Sequence, residues 1–201
     1  MGPFAAKLTT EDEMMQHRAV TEAVHGVQVP IYGTANHVAP KICLQILHTG
    51  RYAYHPLAVS ASSTKSPISP FKARAMSKRD ISQTVQDFTN TAVLAKQAGY
   101  DGVEIMGSEG YLLSQFLSPA TNFRTDDYGG SFANRARFPL EIVKSVRQAT
   151  GPDFIIIYRI SLWDLVDGGT TWEESMELAA ALEKAGVTIL NTGIGWHEVR
   201  G

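Results

Sequence analysis

The chain has 201 residues, enough to bury a core of its own. Its 44% hydrophobic and 19% charged residues are ordinary for a globular protein, and a net charge of -2 leaves no basic footprint for nucleic acid. One cysteine, Cys43, excludes an internal disulfide and a cysteine-ligated cluster within the chain, and no apolar stretch reaches the length of a membrane span.

The N-terminus shows no basic region followed by an apolar one, so a cytoplasmic protein is expected. Thr10-Glu-Asp-Glu13 reads as a capping box that opens a helix to about Val24. Residues 26–40 have two prolines and no period, and read as an irregular insertion. Residues 41–47 read as a buried strand. Ser77 caps a helix with Ile81, Val85, Phe88, Ala92 and Ala95 on one face, and Gly99 ends it. Residues 102–106 are a second strand, and residues 118–130 form a turn-rich loop. Ser131 or Asn134 opens a helix with Phe138, Ile142 and Val146 inward. Residues 154–160 are a third strand. Thr171-Trp-Glu-Glu174 is another capping box, for a helix carrying Met176, Ala179 and Leu182 and closed by Gly186. Residues 187–191 are a fourth strand.

Strands alternating with helices predict a parallel sheet with right-handed crossovers. Four such units fit an open doubly wound sheet or half of a (β/α)8 barrel, since a complete barrel takes about 250 residues. The chain reads as a single domain over residues 1–201. It lacks a Gly-x-Gly-x-x-Gly turn, which argues against a dinucleotide fold.

In a parallel barrel the C-terminal strand ends share one mouth, so polar groups there converge. The first strand ends in Gln45 and His48, the second leads to Glu109 and Tyr111, the third carries Arg159, and the fourth leads to His197. A buried guanidinium such as Arg159 needs an acceptor: a structural carboxylate, an anion or an electron-rich ring. Gln45 reads equally as hydrogen-bonded core, Tyr111 as a core aromatic and His197 as a loop histidine. Asp126 and Asp127 look like turn residues, and no metal-ligand spacing is present.

The run Gly110-Tyr-Leu-Leu-Ser-Gln-Phe-Leu-Ser-Pro-Ala-Thr-Asn-Phe-Arg-Thr-Asp-Asp-Tyr-Gly-Gly-Ser-Phe-Ala-Asn-Arg-Ala-Arg-Phe138 resembles the signature of the flavin-dependent Old Yellow Enzyme family. Gln45-Ile-Leu-His-Thr-Gly-Arg51 resembles its third-strand motif. Met106-Gly-Ser-Glu-Gly-Tyr111, Ile155-Ile-Ile-Tyr-Arg159 and Asn191-Thr-Gly-Ile-Gly-Trp-His-Glu198 are similar to the subgroup of bacterial-type 2,4-dienoyl-CoA reductases.

The resemblance implies a partial FMN-binding (β/α)8 barrel, here its strands three to six. It implies Gln45 and Arg159 at the flavin, Tyr111 as proton donor and His197 beside it. Glu109, Ala120, Thr121, Asn122, Phe123, Glu198 and Arg200 would border an acyl-CoA thioester. The family's usual His-x-x-Asn or His-x-x-His pair is replaced by Met106 and Glu109, which favours the dienoyl-CoA subgroup. NADPH, FAD and a 4Fe-4S cluster are expected to belong to a further C-terminal part, as is the loop set that holds the FMN phosphate. The chain then reads as an internal piece of the enzyme, with open sheet edges able to self-associate. The alternatives are a general ene-reductase, an amine-oxidising relative, and a non-catalytic remnant or partner-dependent module.

Overall fold

In the computed structural model, which describes residues 7–199, the first helix, α1, spans Glu11–His25. Thr10 caps it by accepting the Glu13 N–H, but the Glu13 carboxylate turns to the Thr9 N–H and hydroxyl, so the expected box closes one residue early. Residues 26–40 are not irregular throughout: β1 (Val29–Pro30) and β2 (His37–Val38) form a small antiparallel hairpin, with Val29 opposite Val38. Its strand residues are all exposed, so no apolar period could announce it.

The first strand of the main sheet is β3 (Cys43–Ile46), followed by a 3-10 turn at Gly50–Tyr52. The long connection that follows carries a short parallel pair, β4 (Val59–Ser60) and β5 (Arg74–Ala75). Helix α2 (Lys78–Gln97) opens with a complete capping box between Ser77 and Asp80. Then come β6 (Gly102–Gly107), a short buried helix α3 (Leu112–Leu117), α4 (Phe132–Arg135) and α5 (Arg137–Thr150). Strand β7 (Ile155–Trp163) is longer than expected. Helix α6 (Trp172–Ala185) has its box between Thr171 and Glu174, and β8 (Ile189–Ile194) ends the sheet.

The order is β3-β6-β7-β8, with each neighbouring pair parallel. Alternation divides the side chains between two faces. Val103, Ile105, Ile156, Tyr158 and Ile160 enter one core with Ile81, Phe88 and Ala92 of α2, Phe138, Ile142 and Val146 of α5, and Leu178 and Leu182 of α6. Gln45, Glu104, Met106, Ile157, Arg159 and Asn191 therefore share the opposite, inner face. Gly107 is required where it stands, because a Cβ there would fall 2.1 Å from the Tyr158 ring.

The inward stripe of α6 is Ser175, Leu178, Leu182 and Ala185, while Met176 is half exposed. Met176 instead borders an apolar groove with Ala179, Val187, Ile189 and Leu190 along the edge of β8 that is unpaired among the described residues.

Candidate active site at the sheet's C-terminal edge

Glu109 follows β6 and stands at φ 62°, a left-handed conformation rare for a residue with a side chain. That turn aims its carboxylate back across the sheet ends. One oxygen lies 2.7 Å from the Arg159 guanidinium, and the other lies 3.2 Å from His197 Nε2. The Glu109 carbonyl also accepts the His197 backbone N–H at 3.3 Å. Glu109 thus joins the ends of β6, β7 and β8.

Tyr111 begins α3 at its N-cap position. Its ring meets that of His197 edge-on, with centroids 5.1 Å apart, and meets Tyr52 at 5.7 Å. Burial pushes the Tyr111 phenol above its ordinary value, and the Glu109 charge adds to the effect. Tyr111 is therefore a neutral O–H donor throughout the physiological range.

Below this cluster, Gln45 Nε2 donates to Glu104 at 2.7 Å, and Asn191 Nδ2 donates to the same carboxylate at 2.6 Å. Arg159 stands one step nearer the strand ends, in register with Met106 and Asn191. Its Nε is buried with no hydrogen-bond partner among the described residues. A guanidinium with an orphan N–H, beside an exposed glutamine amide, suits the edge of a flavin ring, which offers acceptors and one donor.

The other expected residues divide. Glu198 is committed within the protein: both its oxygens lie 2.6–2.7 Å from Arg51 Nη2, and it also accepts from the Tyr52 and Ser66 hydroxyls. Thr121 donates to the Gln115 carbonyl. Asn122 donates to the Phe116 and Tyr128 carbonyls and accepts the Arg124 N–H. The side-chain hydrogen bonds of Thr121 and Asn122 thus go to the loop's own backbone. Half-buried Ala120 gives its N–H to the Gly168 carbonyl. Phe123 is exposed beside Ser62. Arg200 lies outside the described residues. Asp126 is a turn residue, as expected, paired with Arg124 and accepting the Tyr128 N–H.

Sequence reasoning gave no role to four residues that organise the site. Glu104 was signalled by a charge at an alternating position in an apolar strand. Arg51 and Tyr52 had no comparable signal, because their partner lies 147 and 146 residues away. Gly110, at φ 81°, lets the backbone pass where a Cβ would meet the Tyr52 hydroxyl and the Trp196 ring.

Comparison with known proteins places this geometry. The model of the NADH:flavin oxidoreductase / NADH oxidase family matches residues 3–199. An NADH oxidase of Thermoanaerobacter brockii is 38% identical over 96% of this chain and 29% of its own length. The structure of a 2-naphthoyl-CoA reductase with 2-naphthoyl-CoA superposes with TM-score 0.83 at 34% identity, over 96% of this chain and 30% of that one. An old yellow enzyme homologue from Zymomonas mobilis superposes with TM-score 0.82 at 24% identity, over 96% of this chain and 56% of that one, and shares the fold. This chain spans between under a third and just over half of these proteins, so its four strands are part of a barrel. The chain belongs to the NADH:flavin oxidoreductase / NADH oxidase family, the Old Yellow Enzyme family that its motifs resemble.

Proposed function

We propose that this chain carries the ring-binding and proton-donating part of an FMN-dependent oxidoreductase, which reduces a conjugated C=C bond in an acyl-CoA thioester, most specifically a 2,4-dienoyl thioester. The observation that carries this reading is the Tyr111–His197–Glu109 cluster, set beside an arginine with a free N–H.

Gln45 and Arg159 would hold the FMN ring, which when bound supplies hydride to the far end of the conjugated system. Arg159 would supply positive charge to the reduced ring, which carries negative charge. Tyr111 holds its proton at the phenol oxygen and gives it to the carbon opposite. The thioester carbonyl becomes enolate-like as the bond is reduced, and donors aimed at it lower the barrier. His197, held by Glu109 through side chain and backbone, is the nearest ring donor to Tyr111. Glu109 restrains both Arg159 and His197.

The reading of a general ene-reductase is disfavoured because Met106 and Glu109 occupy the positions of the usual carbonyl-holding pair. A thioester needs no such pair if His197 serves its carbonyl. The 2-naphthoyl-CoA reductase neighbour, by its name, acts on a CoA thioester, which supports the same choice. NADPH is the proposed reductant. FAD and a 4Fe-4S cluster would belong to regions other than these 201 residues.

A substrate panel tests the proposal. NADPH consumption is measured for a 2,4-dienoyl-CoA, an aryl-CoA, cyclohexenone and trimethylamine, using the longest protein that carries this chain. The dienoyl-CoA is expected to give the largest kcat/KM. Equal or better turnover of cyclohexenone or the amine would reject the thioester assignment.

A further inference from the structure

Glu104 has no place in the chemistry above, yet it occupies the centre of the inner face. It lies in register with Gln45 across the β3–β6 pair. Its two oxygens are taken by different amides, Oε2 by Gln45 and Oε1 by Asn191. The second bond passes over an entire strand, because β7 lies between β6 and β8. One carboxylate therefore ties three of the four sheet strands together on the side where Arg159 stands.

The chemistry of the carboxylate fixes what its neighbours do. An ionised carboxylate only accepts, so each amide must turn its NH2 toward it. Gln45 is then left with its carbonyl oxygen directed away from Glu104, and no described residue donates to that oxygen. An unrestrained glutamine could offer either end. The pyrimidine edge of a flavin has one donor, N3–H, between two carbonyl acceptors. An amide held oxygen-first reads the donor, while a reversed one reads a carbonyl.

We propose that Glu104 is a positioning residue that sets the orientation of the Gln45 amide, so that Gln45 presents an acceptor to the N3–H of the flavin ring. Asn191 takes the second oxygen of the same carboxylate and locks it against rotation. The inference rests on the flavin reading above and adds a residue that does not touch the ring. A glutamine at position 104 would present one acceptor and one donor, so one of the two neighbours would have to reverse.

The test uses the 201-residue chain with two readouts. The first needs no flavin: the side-chain NH2 resonances of Gln45 and Asn191 are compared by NMR between the wild type and Glu104→Gln at one pH. Both are expected to move in the variant, with backbone resonances showing that it is folded. The second uses riboflavin and 3-methylriboflavin as probes, since neither carries a phosphate. Riboflavin is expected to bind about fivefold tighter or more, the worth of one hydrogen bond. That ratio should fall toward one in Glu104→Leu, where no acceptor remains to hold the Gln45 amide. Gln45→Ala should abolish it alone, and the double variant Gln45→Ala/Glu104→Leu should lose nothing further. Unchanged amide resonances in Glu104→Gln would overturn the proposal, as would an unchanged binding ratio in Glu104→Leu. Amide resonances that respond, with no riboflavin binding by any form, would keep the belt and overturn its use toward the ring.

Discussion

The Glu109 carboxylate meets the Arg159 guanidinium at 2.7 Å across the ends of β6 and β7, from a backbone conformation that side-chain residues seldom adopt. Ion pair and backbone strain therefore sit on one residue, and they can be separated. Glu109→Ala keeps the left-handed φ and removes the charge, whereas Glu109→Gly removes both. In urea denaturation Glu109→Gly is expected to be more stable than Glu109→Ala by about 1 kcal/mol. Both should lose turnover, since both free Arg159 and His197. Equal midpoints for the two variants would show that the backbone at 109 carries no strain.

Tyr111→Phe separates proton supply from flavin reduction. Its ring packing against His197 and Tyr52 is retained, and the hydroxyl is lost. Stopped-flow flavin absorbance should show reduction by NADPH at the wild-type rate and reoxidation by the dienoyl-CoA slowed by roughly 10²–10⁴-fold. Because the phenol is raised, wild-type proton supply should not fail with rising pH until beyond the ordinary tyrosine value of about 10. An undiminished reoxidation rate in Tyr111→Phe would remove this residue from the mechanism.

Much of this arrangement was legible in the sequence because it is local. The helix cap at Ser77, the capping box at Thr171 and the apolar runs of β6 and β7 report short-range physics, and they lie where the pattern put them. The motif after β6 similarly placed Glu109 and Tyr111 at the mouth. The Glu198 assignment differed because its bidentate partner Arg51 lies 147 residues earlier, and pairings of that kind leave no periodic trace. The backbone partners of Thr121 and Asn122 left no trace for a related reason. Short polar side chains in a loop serve its own backbone groups as readily as a ligand. Helix α3 escaped notice because all six of its residues are buried, so it has no polar face to mark a period.

The Arg51–Glu198 pair is a buried clamp on the segment that carries His197. Their side chains are 7% and 13% exposed, and Tyr52 and Ser66 add hydroxyl donors. Removing one member strands the other charge, so Glu198→Gln should cost about 3 kcal/mol in denaturant unfolding. Arg51→Met combined with Glu198→Leu should recover part of that loss, because no unpaired charge remains. Tyr52→Phe should cost about 1 kcal/mol, the worth of one hydrogen bond. A negligible effect of Glu198→Gln would mean that the clamp does not hold the segment.

His48 predicts an acid-side loss of stability. Burial chiefly pulls its imidazole down to about 4 from an ordinary value near 6.5, with Asp87 opposing only in part. The unfolded chain then binds a proton that the folded chain refuses between those values. The stability contributed by the neutral ring is present above about pH 6.5 and falls as pH is lowered toward 4. The wild type should therefore lose more stability than His48→Asn across that window, as read by urea midpoints at half-unit steps. Parallel curves for the two proteins would contradict the shift.

The outer edge of β8 leads to the last prediction. Among the described residues, β8 pairs with β7 on one side only, and β3 pairs with β6 on one side only. Ile189, Leu190 and Ile194 are 48%, 40% and 68% exposed, and the groove beside them is lined by Met176, Ala179 and Val187. An unpaired strand presents a row of free N–H and C=O groups, and this one adds apolar side chains that gain by leaving water. The 201-residue chain in isolation should therefore self-associate at micromolar concentration, with a light-scattering mass above 21.9 kDa. Lysine on an edge strand opposes such pairing by charge and by the cost of burying it. Ile189→Lys/Ile194→Lys should thus return the mass toward the monomer while the helical circular dichroism is kept. A wild-type chain that elutes as a single monomeric species across that range would show that the edge is already protected.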